Sequence, residues 1–137
     1  LVLVQTMRLP RAVSHATIYP MAMMMILMVE DDEATAYLHR RALELAGHHV
    51  VVATGVEDAR HYLDELVFDA VLSDYNLSDK ENGAELLLEV RWRCPHARRV
   101  LYSSELPWRM KLAAQAVAHS VIDSVRASED LVSALAA

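Results

Sequence analysis

Acidic side chains directly follow two apolar runs in this sequence. Residues 25–33 read MILMVEDDE, so the run ends in four consecutive acids, beginning with Glu30, Asp31 and Asp32. A second run ends at Asp74 in VLSDYNLSD. Adjacent carboxylates repel one another, and two or three that face each other are unfavourable unless a cation joins them or some stay protonated. The arrangement predicts a cation site if the two runs lie side by side.

Magnesium suits such a site because it binds one or two carboxylates, keeps several waters and leaves room for a phosphate group. Asp74 is then a candidate nucleophile toward a phosphoryl group, since aspartate carboxylates form acyl phosphates. The alternative is structural. Acids in a first helical turn interact favourably with the helix dipole, and Asp74 taken alone could be a turn residue before the polar SDKENG. Both acidic groups together, each after an apolar strand, favour the metal site.

The elements around these acids alternate between short apolar runs and helical periods of about ten residues, which predicts parallel strands joined by right-handed crossovers. We predict a flavodoxin-like, doubly wound (βα)5 α/β sandwich, with a five-stranded parallel sheet in the order 2-1-3-4-5. That order makes strands one and three neighbours, and ligands in such folds bind at the carboxyl ends of the strands. The predicted strands are residues 26–29, 49–53, 69–73, 99–102 and 121–122, and the predicted helices are residues 33–46, 56–66, 84–92, 108–118 and 129–136.

Composition and charge narrow the class of protein. The 137-residue chain is 54% hydrophobic and has a formal net charge of −6, which argues against a nucleic-acid-binding protein. Its single cysteine excludes an intrachain disulfide, and the early apolar run is too short to span a membrane. We expect a cytoplasmic protein without membrane contact. Residues 1–24 lack a sustained period and are predicted to be an extension, and residues 25–137 form the domain.

Four strings in this order resemble the receiver domain of two-component response regulators: ILMVEDDE, FDAVLSDYNL, NGAELL and RVLYSSE. The resemblance runs from about Met25 to the end of the chain. It implies a five-stranded parallel sheet with five helices. It also implies Mg2+-dependent transfer of a phosphoryl group to an aspartate from a phosphohistidine on a sensor histidine kinase or a histidine phosphotransfer protein.

The resemblance also implies roles for single residues in the metal site. Asp31 matches the acid that binds Mg2+ directly, and Glu30 matches the acid that usually acts through water. The backbone carbonyl of Asn76 matches the group that completes the metal shell, together with Asp74. Asp32 has no required role in the family and is interpreted as first-turn helix charge.

The phosphoryl group is expected on Asp74, which matches the phosphoacceptor position. Ser104 matches the hydroxyl residue that hydrogen-bonds the phosphoryl group. Ser103 is a rival for that role, because the register of RVLYSS could differ by one residue.

Four positions depart from the family pattern. Ser124 and Val125 occupy the places of the usual lysine and proline after the fifth strand, and Arg126 is a weak candidate to replace the lysine. Val121 replaces the usual aromatic residue of the fifth strand. Ser78 stands where the loop after the third strand normally has proline, and that loop is about one residue longer.

The leading hypothesis is a stand-alone receiver that accepts a phosphoryl group and acts on no substrate beyond its own phosphorylation and hydrolysis. The alternative is a degenerate receiver that serves as a protein–protein binding or dimerisation module. A third hypothesis is a haloacid-dehalogenase-type phosphohydrolase. Such enzymes need a second aspartate two residues after the nucleophile, and the presence of Asn76 at that position argues against this hypothesis. A homodimer or a downstream protein is a further candidate partner, with the exposed position expected for Trp108 as a candidate contact.

Overall fold

The computed structural model describes residues 22–78 and 80–136. The predicted extension, residues 1–24, therefore lies outside the described residues except for its last three. The strands are β1 (Met25–Val29), β2 (His49–Ala53), β3 (Ala70–Asp74), β4 (Arg98–Tyr102) and β5 (Ser120–Ile122), and the helices are α1 (Glu33–Leu45), α2 (Val56–Glu65), α3 (Gly83–Arg93), α4 (Lys111–Val117) and α5 (Glu129–Ala136).

The five strands form one parallel sheet in the order β2-β1-β3-β4-β5, which confirms the predicted fold class. β1 pairs with both β2 and β3, so the ends of β1 and β3 are neighbours. The fourth predicted helix differs in its first turn, because Trp108–Met110 is a 3-10 turn that precedes α4. Trp108 is 83% exposed there.

Side chains that alternate along each strand pack into two apolar cores, one on each face of the sheet. Leu27 and Val29 of β1 pack in the layer beneath α2, α3 and α4, whereas Ile26 and Met28 pack beneath α1 and α5. A parallel strand buried on both faces needs such an uninterrupted apolar run. The apolar run before Glu30 is therefore a requirement of the fold, and it places that acid at the end of a buried strand. Within the described residues, no helix has the length and apolar character to cross a membrane.

Polar side chains fix the starts of the two helices nearest the strand ends. Asp32 caps α1, since its carboxylate accepts hydrogen bonds from the Thr35 N–H at 2.9 Å and the Thr35 hydroxyl at 2.6 Å. Asn82 and Glu85 form a reciprocal capping box at α3. Such caps contribute about 1 kcal/mol each. Among the four consecutive acids, Asp32 is therefore the one that caps α1.

Candidate functional site

Three carboxylates meet at the carboxyl edge of the sheet. Glu30 and Asp31 follow β1, and Asp74 ends β3, where Val29 pairs with Ser73 one residue earlier. One carboxylate oxygen from each of the three acids lies within 4.8 Å of the others. Glu30 is buried, Asp74 is half-buried and Asp31 is exposed. The predicted convergence of these acids therefore occurs in the structure.

Burial and mutual repulsion act on these carboxyl groups. Burial raises the pKa of Glu30 to about 7, and the charges of Asp74 and Asp31 add to the rise. Burial likewise raises the pKa of Asp74, with the Asp31 charge contributing. Both groups are therefore less readily ionised than ordinary carboxyl groups, and a bound cation would favour their charged forms.

The donor set fits magnesium. All three side chains offer hard carboxylate oxygens, which are the ligands that Mg2+ prefers. Neighbouring ligand atoms around an octahedral ion with bonds of about 2.0–2.1 Å stand roughly 3 Å apart. The three oxygens lie within 4.8 Å of one another, so a bound ion would draw them closer together.

Tyr102 is a site residue that the sequence did not indicate. It pairs with Asp74 in the β3–β4 register and is 3% exposed. Its hydroxyl donates a hydrogen bond of 2.9 Å to Oε1 of Glu30, across 72 residues of sequence. The backbone N–H of Asp32 donates to Oε2 of Glu30 at 3.1 Å. Both oxygens of the buried carboxylate are thus held by donors.

The loop between β3 and α3 folds over the exposed acid. The backbone N–H of Ser78 donates a hydrogen bond of 3.0 Å to Oδ2 of Asp31. The family that the sequence resembles usually has proline at this position. Proline has no backbone N–H and could not make this contact. The departure at Ser78 therefore has a structural consequence, because it ties the loop to a site residue.

Asp74 is held from two directions. The backbone N–H of Asn76 donates to Oδ1 of Asp74 at 3.2 Å, and the Asn76 side-chain amide lies 3.5 Å from Oγ of Ser103. The start of α3 also lies close to the backbone of Asp74, since a Cβ atom at Gly83 would be 2.1 Å from the Asp74 carbonyl oxygen. Gly83 is a second residue whose role the sequence did not reveal, because the close approach arises only when β3 and α3 pack.

The two serines after β4 have different surroundings. Ser103 is 1% exposed, its hydroxyl accepts a hydrogen bond from the Glu105 N–H at 3.1 Å, and its backbone N–H donates to Ile122 at 3.0 Å. Ser104 is exposed and lines the same cavity as Asp74. The structure thus brings Ser104, and not Ser103, into the wall of this cavity.

The cavity at the acids has a volume of about 260 Å³. Within the described part of the chain its lining contains no lysine or arginine. Ser124 and Arg126 are exposed and lie outside the lining. The backbone N–H of Arg126 donates a hydrogen bond of 2.9 Å to Oδ2 of Asp130 in α5. The lining residues are Glu30, Asp31, Asp32, Thr35, His39, Asp74, Tyr102, Ser104 and Val125.

Comparison with solved structures supports the fold. A CheY-like response regulator receiver domain protein from Methanospirillum hungatei superposes with a TM-score of 0.76 at 22% identity, covering 84% of this chain and 92% of that chain. The chemotaxis response regulator CheY4 of Vibrio cholerae gives a TM-score of 0.74 at 23% identity, covering 84% and 98% of the two chains. TrrA of Thermotoga maritima, solved in complex with Mg2+–BeF, gives 0.73 at 21% identity over 82% and 96%.

A curated relative is similar over part of the sequence. The sensory/regulatory protein RpfC of Xanthomonas campestris pv. campestris is 34% identical over 68 residues, which is 50% of this chain and 9% of RpfC. The chain thus spans under a tenth of the length of that relative. Residues 26–136 match the family described as the response regulator receiver domain. With that match over most of its length and the parallel sheet that carries the acidic edge, this chain belongs to the response regulator receiver domain family of two-component signalling.

Proposed function

We propose that this receiver domain accepts a phosphoryl group on Asp74 from a phosphohistidine donor in a Mg2+-dependent phosphorelay. The observation that carries the proposal is the convergence of Glu30, Asp31 and Asp74 at one sheet edge, with their oxygens within 4.8 Å. Asp74 is half-buried beside a cavity, so its carboxylate is held by the fold and reachable from solvent.

The metal would be held by the carboxylates of Asp31 and Asp74, by Glu30 and by the backbone carbonyl of Asn76. Mg2+, when bound, supplies positive charge that offsets the negative charge of the phosphoryl oxygens. The similar fold of TrrA, which was solved with Mg2+ and BeF, supports this choice of ion.

The protein residues act on the transferred group in distinct ways. An Oδ atom of Asp74 forms a bond to phosphorus while the bond between phosphorus and the donor imidazole nitrogen breaks, and that nitrogen keeps the electron pair. The hydroxyl group of Ser104 donates a hydrogen bond to a phosphoryl oxygen. The exposure of Ser104 at the cavity supports this role over its rival Ser103, whose hydroxyl is buried against the Glu105 N–H.

The charge balance favours a second candidate function, a receiver that binds or dimerises without phosphorylation. The described cavity lining supplies four acidic residues and no lysine or arginine to meet an incoming anion. Arg126 is a weak substitute, because it would have to turn in from its exposed position on the β5–α5 loop. Direct measurement of phosphorylation separates the two candidates.

The partners we propose are a sensor histidine kinase or a histidine phosphotransfer protein, with a homodimer or a downstream protein as the receiver of the signal. Receiver domains generally act as signalling modules, and here we propose only self-phosphorylation and autodephosphorylation. We place the domain in the cytoplasm, without nucleic-acid or membrane contacts. The partial match to RpfC is compatible with a receiver that works beside other domains as well as with a stand-alone one.

The test is incubation with a small acyl phosphate, with and without Mg2+, followed by intact mass measurement. We expect a Mg2+-dependent gain of one phosphoryl group that Asp74→Asn abolishes. Asp64→Asn is the matched control, since Asp64 lies on α2, its side chain is 66% exposed and it pairs with Arg93. No mass gain in any condition would contradict the proposal and favour the binding module. A gain that survives in Asp74→Asn would assign the phosphoryl group to another residue.

A further inference from the structure

The buried pair of Tyr102 and Glu30 stands out among the contacts of the acidic edge. Its 2.9 Å hydrogen bond joins a strand-end tyrosine to the most buried of the three acids, and both side chains are 3% exposed. A hydrogen bond to a charged group in such surroundings is stronger than one between neutral groups, and its loss leaves a buried oxygen without a donor.

The Glu30 carboxylate has little freedom to move. Oε1 accepts from the Tyr102 hydroxyl, and Oε2 accepts from the Asp32 N–H, which is part of the backbone at the start of α1. One donor belongs to β4 and the other to the β1–α1 loop. Two donors on separate elements fix both the position and the plane of a carboxylate.

The ring of Tyr102 also has a packing partner. The His39 ring of α1 packs edge-on against it, with ring centroids 5.3 Å apart and an interplanar angle of 89°. Nδ1 of His39 lies 2.9 Å from Oγ of Ser128, just before α5. His39 is 7% exposed, so this support is packed within the domain. The tyrosine ring cannot turn away from Glu30 without disturbing α1 and the start of α5.

We propose that Tyr102 is a positioning residue for the magnesium site, and that it acts by fixing Glu30 in the orientation that faces the ion. The inference rests on the proposed Mg2+ site, and Tyr102 itself touches neither metal nor phosphoryl group in it. Donors that hold metal-binding side chains in place typically change metal affinity by 10- to 100-fold when removed.

The test is Mg2+ affinity, measured by calorimetry and by the rise of the melting temperature with Mg2+ concentration. Tyr102→Phe removes the hydroxyl and keeps the ring, and we expect it to weaken Mg2+ binding about tenfold. Tyr62→Phe is the matched control, because Tyr62 packs in the opposite core, away from the acids. It should leave the affinity unchanged.

A double-mutant cycle separates positioning from a merely structural role. In a Glu30→Gln background the Tyr102→Phe change should alter Mg2+ affinity less than about twofold, because the carboxylate that the hydroxyl holds is no longer present. An equal loss in both backgrounds, or tighter binding by Tyr102→Phe, would overturn the inference. If the unaltered protein binds no Mg2+, the proposed function fails as well, whereas normal Mg2+ binding with no effect of Tyr102→Phe removes this inference alone.

Discussion

At the scale of single residues, the first three of the four consecutive acids make different contacts. Glu30 is buried and hydrogen-bonded at both oxygens, Asp31 is exposed and contacts the Ser78 N–H, and Asp32 caps α1. Burial raises the pKa values of Glu30 and Asp74, and the charges of neighbouring acids add to the rise. The cost of keeping them charged is the reason to expect a response to pH and to Mg2+.

The pH dependence of stability should report the Glu30 carboxyl group. Because its pKa rises from 4.5 to about 7 on folding, the folded protein holds this proton more tightly than the unfolded chain. Stability linked to Glu30 is thus fully present below about pH 4.5 and is lost as pH rises through about 7. Without Mg2+, we expect Glu30→Gln to gain several degrees of melting temperature relative to the unaltered protein between pH 4.5 and pH 8, equivalent to about 1–3 kcal/mol.

Comparing these two proteins at each pH cancels the titrations of groups that do not interact with Glu30; Asp74 interacts with it, so its titration is part of the measured difference. Burial lowers the pKa values of His39, His48 and His119. These histidines make stability rise with pH, which is opposite to the effect of Glu30, and both proteins share this contribution. Saturating Mg2+ at pH 8 should raise the melting temperature of the unaltered protein more than that of Glu30→Gln. A difference in melting temperature that stays constant from pH 4.5 to pH 8 would show that Glu30 titrates normally.

At the scale of elements, the β3–α3 loop connects β3, which carries the proposed phosphoacceptor Asp74, to the rest of the domain. Ser78 ties it to Asp31, and Arg60 of α2 ties it through Glu81 while also pairing with Glu57 and Glu89. The loop ends at Gly83, where the first residue of α3 lies against the backbone of Asp74. A side chain at this position has no space, because the Asp74 carbonyl group already occupies it.

Replacing Gly83 by alanine should damage both the fold and the site. The new Cβ would lie 2.1 Å from a backbone oxygen, and backbone cannot move aside as a flexible side chain can. We expect a loss of about 2–4 kcal/mol in the free energy of unfolding, measured by urea denaturation, and a weaker response to Mg2+ because Asp74 must shift.

Gly47→Ala is the control for that change. Gly47 has a φ of 102° and no atom near its added Cβ, so alanine there should cost about 1 kcal/mol through backbone strain alone. Its Mg2+ affinity should equal that of the unaltered protein. Equal effects of the two substitutions on Mg2+ binding would rule out the close approach at Gly83 as a determinant of the site.

At the scale of the whole molecule, the folded domain is more acidic than the full chain, and its first residue can be located from hydrogen bonds. Arg8 and Arg11 precede the first acid, so residues 30–137 carry 11 of the 13 basic residues against all 19 acidic ones, a net charge of −8. Met24 already belongs to the domain, since its N–H donates to Nδ1 of His48 at 3.0 Å and its carbonyl accepts from the His49 N–H at 2.9 Å. We propose that the domain begins there, one residue before β1.

A chain that starts at Met23 should keep the stability and the Mg2+ response of the longer chain. It retains both Met24 hydrogen bonds, and we expect its melting temperature to stay within about 2 °C, whereas a chain that starts at Met25 should lose roughly 1 kcal/mol or more. Thermal unfolding of the three chains, followed by circular dichroism, measures this. A large loss on removing residues 1–22 would place part of that segment inside the folded domain.

The sequence by itself determined the elements, their parallel arrangement and the edge at which the acids collect. These follow from local patterns: apolar runs make buried strands, helical periods make the covering layers, and a residue after a strand must lie at its carboxyl end. The residues Glu30, Asp31 and Asp74 could be chosen on that basis, because each stands directly after or at the end of such a run.

Only the tertiary structure decided which side chains meet at that edge. The bond from Tyr102 to Glu30, the contact of Ser78 with Asp31 and the pressure of Gly83 on Asp74 join segments that are distant in sequence or cross a loop. Such contacts depend on strand register, on the face to which a side chain points and on how closely a helix packs. A local pattern carries none of these quantities, so the acids were visible in the sequence while the residues that hold them were not.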